Sequence, residues 1–352
     1  MVAFSGENGA GKTNLLEAIS LFSSGRGLRR SDLGDMAREQ GTGGFAVASE
    51  LSGPYDTIKL GTGLEPPTSE GHGPRKFRID GLPASSASAF DAYLRMVWLT
   101  PAFDGLFSGP AGERRRFLDR LVLAIDPTHG TRVSALERAL RSRNRILEEH
   151  SPDPVWLDAV EREVAETGVA VAAARRETVG QLAGLIAQER DDSSPFPWAD
   201  IRLEGIIEME LTGRAAVDVE DAFRKMLRDN RSRDRAAGRA TIGPQASDLV
   251  VRHGPKNVAA ERASTGEQKA LLIGLVLAHA RLVASMSGMA PIVLLDEIAA
   301  HLDPSRRAAL FDTLNALGSQ VFMTGADALL FADLPADAER FRVTPGRVEH
   351  TR

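Results

Sequence analysis

The sequence predicts an α/β fold whose mixed β-sheet is interrupted by a mainly helical insertion. A glycine-rich loop follows a short apolar run at the start of the chain, and an apolar run near residue 293 ends in two adjacent carboxylates. Helical periodicity, with many Arg, Glu and Ala residues, fills much of the chain between them. We therefore expect a main domain formed by residues 1–111 and 241–352, with a helical arm domain over residues 112–240.

The sequence patterns also predict the main elements of each part. In the main domain we expect short antiparallel strands over residues 45–51, 57–64 and 76–80. In the arm we expect an antiparallel helical pair over residues 133–149 and 155–189, a strand over residues 201–211 and a strongly basic helix over residues 219–237.

Composition narrows the class of protein. A chain of 352 residues exceeds one ordinary domain, and 43% hydrophobic with 26% charged residues is typical of a soluble protein. The absence of Cys excludes disulfides and thiolate metal sites, and a net charge of −5 argues against a globally basic nucleic-acid binder. The longest apolar stretch, residues 270–278, runs into His279, and no signal peptide is visible. We expect a cytoplasmic protein without a membrane partner.

The phosphate-binding pattern G-x-x-x-x-G-K-[ST] begins at Gly6 and ends at Thr13, between a short strand and a helix as the motif requires. Glycines let successive N–H groups point at phosphates, and the helix N-terminus carries positive charge. Lys12 is expected to reach the β- and γ-phosphates, and the Thr13 hydroxyl suits Mg²⁺. The predicted nucleotide-binding residues of the loop are Gly6, Glu7, Asn8, Gly9, Ala10, Gly11, Lys12, Thr13 and Asn14.

The strand predicted over residues 291–295 delivers Asp296 and Glu297 to its carboxyl end. Ligands of parallel α/β sheets bind beyond that end, where the phosphate loop also lies. Asp296 is thus predicted to hold Mg²⁺, and Glu297 to activate or orient the attacking water, with Lys12 as the second catalytic residue. By themselves, two adjacent acids here would ordinarily be explained as caps at the end of the strand and the start of the next helix. Together with the phosphate loop, they indicate an ATPase.

A third motif begins at Ser264, which forms a capping box with Glu267. It resembles the signature of the ATP-binding-cassette superfamily, a helix N-terminus that contacts the γ-phosphate. That resemblance implies a contact made in trans, so that two copies of the chain sandwich ATP in a head-to-tail homodimer that hydrolysis releases. The signature residues are Ser264, Thr265, Gly266, Glu267 and Gln268.

Together these motifs resemble the RecF family, bacterial replication and recombinational-repair ATPases related to SMC proteins. The resemblance is carried by residues 6–19, 25–29, 113–119, 242–244, 264–269 and 294–297. It implies an ABC/SMC-like ATPase fold with ATP and Mg²⁺ as cofactors, and ATP-dependent dimerisation on duplex DNA at gaps or single-strand/double-strand junctions. It also implies slow hydrolysis and cooperation with RecO and RecR in loading recombinase.

The chain departs from related patterns at three places. Family members begin with further residues that form the first strand and part of the adenine pocket, so we assign no residue to base recognition. Gln245 follows Gly243-Pro244 where many relatives are expected to carry histidine. Thr324 stands where transporter-type cassettes place a switch histidine. A threonine cannot act as that base, which is consistent with slow turnover.

Arginine clusters are the candidates for DNA contact, because they neutralise phosphates without reading base sequence. With 2 Tyr and 3 Trp, the chain is poorly supplied for stacking on unpaired bases, so duplex backbone binding is the better hypothesis. Acidic residues are interleaved with the arginines, however, and a charge run is ordinarily a solvated helix face. The arginines predicted to contact DNA are Arg114, Arg115, Arg116, Arg231 and Arg233.

Two other functions fit parts of the pattern. The ATP-binding subunit of a membrane transporter would share the nucleotide motifs, but the long helical insertion and Thr324 argue against it. An SMC-like protein that tethers DNA would need far longer heptad stretches than residues 133–189 provide. Stimulation of ATP hydrolysis by gapped DNA would distinguish a repair ATPase from a transporter subunit.

Overall fold

The computed structural model describes residues 1–53, 57–69, 71, 73–299 and 302–351. The chain divides into two compact units: Met1–Asp104 with His279–Arg352, and Gly105–Ala278. Residues 241–278, which the sequence analysis grouped with the main domain, thus belong to the second unit. The physical reason is strand pairing, because residues 248–253 form an antiparallel ladder with residues 199–204 of the helical segment.

The first unit contains the predicted mixed sheet. Its six strands, in spatial order, are β13 (Arg347–Thr351), β12 (Glu339–Thr344), β1 (Val2–Ser5), β11 (Val321–Gly325), β10 (Ile292–Leu295) and β6 (Met96–Leu99). All neighbours are parallel except β12 and β13. The short β1 pairs with β11 on one side and β12 on the other, so the strand before the phosphate loop lies inside the sheet.

A second, antiparallel sheet follows the chain order, as predicted. Its strands are β2 (Phe45–Ser52), β3 (Thr57–Leu64), β4 (Lys76–Ile79) and β5 (Leu82–Ala84). One hydrophobic cluster joins the two sheets, and its buried members include Phe4, Leu60, Phe90 and Trp98. The first unit also contains helices α1 (Lys12–Ser20) and α9 (Pro304–Ala316). The phosphate loop therefore rests on a shared apolar core.

The second unit is mainly helical. Its helices are α2 (Ala111–Ile125), α3 (His129–Glu148), α4 (Pro154–Gln188), α5 (Ile206–Glu210), α6 (Ala216–Asp229) and α7 (Arg231–Ala237). As predicted, α3 and α4 form an antiparallel pair, since Leu147 clusters with Leu157 and Leu136 approaches Gly168. A three-stranded sheet of β7 (Ala199–Glu204), β8 (Asp248–His253) and β9 (Val258–Ala259) completes the unit.

Two predicted elements of this unit were wrong in extent. The strand expected over residues 201–211 ends at Glu204, and α5 follows Gly205 because Ile207 and Leu211, four residues apart, both enter the helical core. The single basic helix expected over residues 219–237 is two helices. Asn230 separates them with φ −95° and ψ 4°, outside the helical range.

Buried ion pairs hold α3, α4 and α7 together. The fully buried Arg143 donates to Glu161 at 3.0 Å, to Asp234 at 2.7 Å and to the Leu227 carbonyl at 2.8 Å. Glu161 and Asp234 are buried as well. Charges at such depth are stable only when they are fully paired, so this network defines how the helices pack.

Helix α8 (Thr265–Ser287) contains the boundary between the two units. It has 23 residues and is, by length and composition, apolar enough to cross a membrane, which the sequence analysis did not expect. Its most apolar stretch is 67% buried inside the protein. Burial of that kind is typical of a core helix.

Candidate nucleotide-binding site

The loop between β1 and α1 has the backbone shape of a phosphate cradle. Gly9 and Gly11 have φ values of +83° and +102°, which side-chain-bearing residues rarely adopt, and no atom lies within 4 Å of where a Cβ would stand. Gly6 is required for another reason, because its Cβ would lie 2.2 Å from the carbonyl oxygen of Val343 on β12. The glycine positions of the motif are thus needed by conformation and by close packing.

Lys12, the first residue of α1, is buried beneath this loop. Its Nζ donates to the carbonyl oxygens of Gly6 at 2.8 Å and Glu7 at 3.0 Å. The same Nζ lies 3.8 Å from Glu297 Oε1. The structure therefore brings together the two residues that were predicted to be catalytic, although they are far apart in sequence.

Thr13 and Asp296 also meet. The Thr13 hydroxyl donates to Asp296 Oδ1 at 3.0 Å. Thr324, at the neighbouring end of β11, donates its hydroxyl to the same oxygen at 2.7 Å and accepts a hydrogen bond from the Glu297 N–H at 2.9 Å. Thr324 is buried, so one hydroxyl group orients both acidic residues that follow β10.

Glu297 adopts an unusual backbone conformation. Its φ of +53° lies in the left-handed region, which a residue with a side chain occupies at a cost of about 1–3 kcal/mol. The Glu297 side chain keeps 34% of its surface exposed. Such strain is common where a side chain must point into a site, and here it places the Glu297 carboxylate beside Lys12.

The loop after α1 is held by hydrogen bonds that the sequence did not indicate. Glu17 accepts a hydrogen bond from the Arg29 N–H at 3.0 Å, and the Arg29 side chain donates to Asn14 Oδ1 at 3.0 Å. Burial raises the pKa of Glu17, against the lowering effect of the Arg29 N–H. The available signal was a carboxylate on the buried face of α1. Asn14, predicted as a nucleotide contact, is thereby tied to the basic loop.

The predicted signature residues lie in the second unit, at the start of α8. The predicted capping box is confirmed, with Ser264 N–H donating to Glu267 Oε2 at 3.1 Å and Glu267 N–H to Ser264 Oγ at 3.4 Å. Hydrogen bonding to Lys256 and to the Ser264 N–H lowers the pKa of Glu267 to about 2. Gln268 is buried and donates to the Ala263 carbonyl. The residues exposed at the tip are Ser264, Thr265 and Gly266.

Four of the five arginines predicted to contact DNA have partners within the second unit. These are Arg114 with Asp248, Arg115 with the Ser247 carbonyl, Arg116 with Glu113, and Arg231 with Asp158 and Glu161. Arg114 binds Asp248 through two parallel bonds of 2.8 and 2.7 Å, a strong arrangement that ties α2 to β8. Arg233 is exposed and has no hydrogen bond or ion pair from its side chain in the described part of the chain.

The chain matches one protein family over nearly its whole length and has close relatives in other bacteria. Residues 1–345 match the RecF/RecN/SMC N-terminal domain family. The DNA replication and repair protein RecF of Mesorhizobium japonicum is 57% identical over 350 residues, which cover 99% of this chain and 92% of that protein. RecF of Rhizobium rhizogenes is 53% identical over 347 residues, with coverages of 99% and 92%.

Solved structures share the fold. The recombination mediator protein RecF with ATPrS, of the RecFOR pathway, has a TM-score of 0.85 at 20% identity, covering 99% of this chain and 91% of that one. An Smc head bound to the C-terminal winged-helix domain of ScpA has a TM-score of 0.52 at 16% identity, with coverages of 99% and 89%. These likenesses confirm the predicted ABC/SMC-like ATPase fold. The chain belongs to the RecF family of DNA replication and repair proteins.

Proposed function

We propose that this chain is an ATP-dependent switch on DNA. Each copy binds ATP and Mg²⁺, two copies dimerise head to tail around the nucleotides, and slow hydrolysis releases the dimer. The observation that carries the proposal is the convergence of Lys12, Thr13, Asp296 and Glu297 at one edge of the sheet. An exposed, capped helix tip at Ser264 supplies the second half of the expected contact.

The residues present fit ATP and Mg²⁺. The open cradle at Gly9 and Gly11 leaves room for phosphate oxygens close to the backbone. The oxygens of Thr13 and Asp296, 3.0 Å apart, are of the kind that Mg²⁺ prefers, and they would hold the ion. The ion would neutralise charge on the β- and γ-phosphates.

Lys12 and Glu297 then have complementary roles. The Lys12 ammonium, already directed at the carbonyl groups of the loop, is positioned to stabilise negative charge on the γ-phosphate. The Glu297 carboxylate accepts a proton from the attacking water, or orients it. The hydrogen bond from its N–H to Thr324 holds the backbone in place while this happens.

Dimerisation follows from the charge of the triphosphate. The α8 tip presents the positive end of a helix, and Ser264, Thr265 and Gly266 are exposed there. This tip attracts the triphosphate bound to the second copy only while the γ-phosphate is present. ATP thus favours the dimer because it binds the dimeric state more tightly than the monomeric one.

We further propose that the dimer acts on duplex DNA at gaps or single-strand/double-strand junctions in the cytoplasm, with RecO- and RecR-type mediators, to load recombinase. The names of the relatives support this, since they are DNA replication and repair proteins, and the similar solved structure is of a recombination mediator. Phosphate contacts from arginines would supply affinity without base specificity.

Light scattering with and without ATP and Mg²⁺ tests the switch. We expect a monomer without ATP and a dimer with it, and Ser264→Arg should stay monomeric while still binding ATP. Ser151→Arg, at another exposed serine of the second unit, is the matched control and should dimerise normally. Normal dimerisation of Ser264→Arg would refute the contact in trans. Gapped DNA that fails to stimulate ATP hydrolysis would refute the role on DNA.

A further inference from the structure

The candidate signature contains an acidic residue where an anion is expected to bind. Glu267 lies in the first turn of α8, next to the exposed Ser264, Thr265 and Gly266. Hydrogen bonds from Lys256 and from the Ser264 N–H lower the pKa of Glu267 to about 2, so the carboxylate is ionised at neutral pH. A negative charge at this position would repel the γ-phosphate that the proposed contact requires. Another group must therefore offset this charge.

The side chain of Lys256 contacts the carboxylate directly. Its Nζ donates to Glu267 Oε1, while the other carboxylate oxygen, Oε2, accepts the Ser264 N–H at 3.1 Å. The two oxygens of Glu267 are thus divided between one ammonium group and one backbone donor at the tip. The Lys256 side chain is 55% exposed and the Glu267 side chain 25%, so the ion pair lies on the surface that a second copy would approach.

The turn between β8 and β9 holds the backbone of Lys256 in place. The Lys256 N–H donates to His253 Nδ1 at 3.3 Å, and the Asn257 N–H donates to the Gly254 carbonyl at 3.1 Å. Asn257 has a left-handed backbone, with a φ of +50°. Its carbonyl and its Oδ1 accept hydrogen bonds from Arg252 at 2.7 and 2.8 Å. Hydrogen bonds on both sides therefore fix the position from which the lysine side chain extends to α8.

The other charged residues around the tip do not replace Lys256. Glu261 and Arg262 are both exposed in the segment before α8, and their opposite charges offset one another. Lys269, in the second turn of α8, is buried. Within the described part of the chain, Glu267 has no other cationic partner. Lys256 therefore decides whether the surface of the tip is neutral or negative.

We propose that Lys256 is a positioning residue for ATP-dependent dimerisation: it neutralises the Glu267 carboxylate, so that the α8 tip can approach the triphosphate bound to a second copy. This inference rests on the proposed function and adds to it the residue that controls the charge of the tip. The lysine acts through Glu267 and needs no contact with the nucleotide. Without the lysine, the carboxylate would oppose the γ-phosphate with an uncompensated negative charge.

Light scattering across an ATP titration tests the role of Lys256. Lys256→Met should raise the ATP concentration for half-maximal dimerisation about tenfold, because like charges that face each other disfavour association and a head-to-tail dimer contains the tip twice. Lys256→Arg keeps the charge and should dimerise nearly normally. Lys225→Met removes an exposed lysine of α6 and is the matched control, which should behave like the unmodified chain.

A second substitution separates the effect of charge from the loss of a structural contact. Glutamine completes a capping box as glutamate does, so Glu267→Gln removes the charge but keeps the cap. Lys256→Met combined with Glu267→Gln should therefore dimerise at nearly the ATP concentration of the unmodified chain. The difference between Lys256→Met and the unmodified chain should also shrink when salt is raised from about 0.05 to 0.5 M, because salt screens exposed charges. A lost structural contact would be neither rescued nor screened.

Nucleotide binding by the single chain separates this inference from the proposed function. Fluorescent-nucleotide binding, at protein concentrations too low for dimerisation, reports the phosphate loop and should be equal in all these variants. Normal dimerisation of Lys256→Met would overturn the inference, and so would a double variant as weak as Lys256→Met or a loss of nucleotide binding by the single Lys256→Met chain. An unmodified chain that stays monomeric with ATP would refute the proposed switch, and this inference with it.

Discussion

The hydroxyl group of Thr324 donates to Asp296 Oδ1 over 2.7 Å, between the ends of the neighbouring strands β11 and β10. The same oxygen of Thr324 accepts the Glu297 N–H. A single buried hydroxyl thus links the proposed metal ligand to the proposed catalytic carboxylate. Thr324 stands where a transporter-type cassette is expected to carry its switch histidine, and we propose that its hydroxyl positions the two acids without transferring a proton.

Thr324→Val should lower kcat by about 10–100-fold and raise the Mg²⁺ concentration needed for half-maximal activity, because partners of a metal ligand have effects of that size. Thr324→Ser keeps the hydroxyl and should restore most of the activity. Steady-state ATP hydrolysis across a Mg²⁺ titration measures both effects. If valine and serine behaved alike, the hydroxyl would have no part in positioning the two acids.

Glu297→Gln should retain ATP and hold the dimer together, while hydrolysis falls by about 10²–10⁴-fold, the usual contribution of a general base.

Lys12→Met should lose nucleotide binding and therefore dimerisation, since the ammonium is buried beneath the loop. Fluorescent-nucleotide binding and light scattering report the two properties separately. Glu39→Gln, on an exposed carboxylate of the first unit outside the phosphate loop, is the control and should hydrolyse ATP normally.

Arg143→Ala should destabilise the second unit by about 3–5 kcal/mol, because it leaves Asp234 and Glu161 as buried carboxylates with too few partners. Arg141→Ala, on the exposed face of the same helix 3.9 Å from Glu137, should change stability by less than about 0.5 kcal/mol. Urea unfolding followed by circular dichroism measures both. Similar values for the two variants would show that the buried network contributes little.

The stability of the second unit should fall in acid through Asp119. Burial by itself raises the pKa of Asp119, but hydrogen bonds from His129 and Arg175 outweigh it and lower the pKa to about 2. Because the pKa is depressed on folding, the stabilisation is present above about pH 4 and is lost as pH falls toward 2. It amounts to roughly 2 kcal/mol for a shift of this size.

Melting temperatures at pH 5 and pH 3 test this assignment against Asp119→Asn. The unmodified chain should lose more stability between the two pH values than the variant, which has no carboxylate to protonate at that position. If both proteins lost the same amount of stability between pH 5 and pH 3, Asp119 would not contribute to the acid response.

The parts of the candidate nucleotide-binding site were predictable because each of them is local in sequence. The glycines of the loop, Lys12 and the strand before Asp296 are recognised from a few neighbouring residues, and the parallel sheet brings them together. The capping box at Ser264 is likewise complete within four residues. For motifs of this kind, a short stretch of sequence is enough to predict the local structure.

What the sequence did not reveal depends on distant partners. Arg114 is bound by Asp248, which is 134 residues away, so its charge suggested DNA while its contacts are internal. Residues 241–278 join the second unit because β8 pairs with β7, a non-local choice that periodicity does not encode.

The left-handed backbone of Glu297 sets the position of its carboxylate against the thermal stability of the fold. A glycine at this position would relieve the strained φ of +53° and make the folded chain more heat-resistant, but it would remove the carboxylate from beside Lys12. Under the proposed ATPase function, this position exchanges some heat resistance for a carboxylate held beside Lys12.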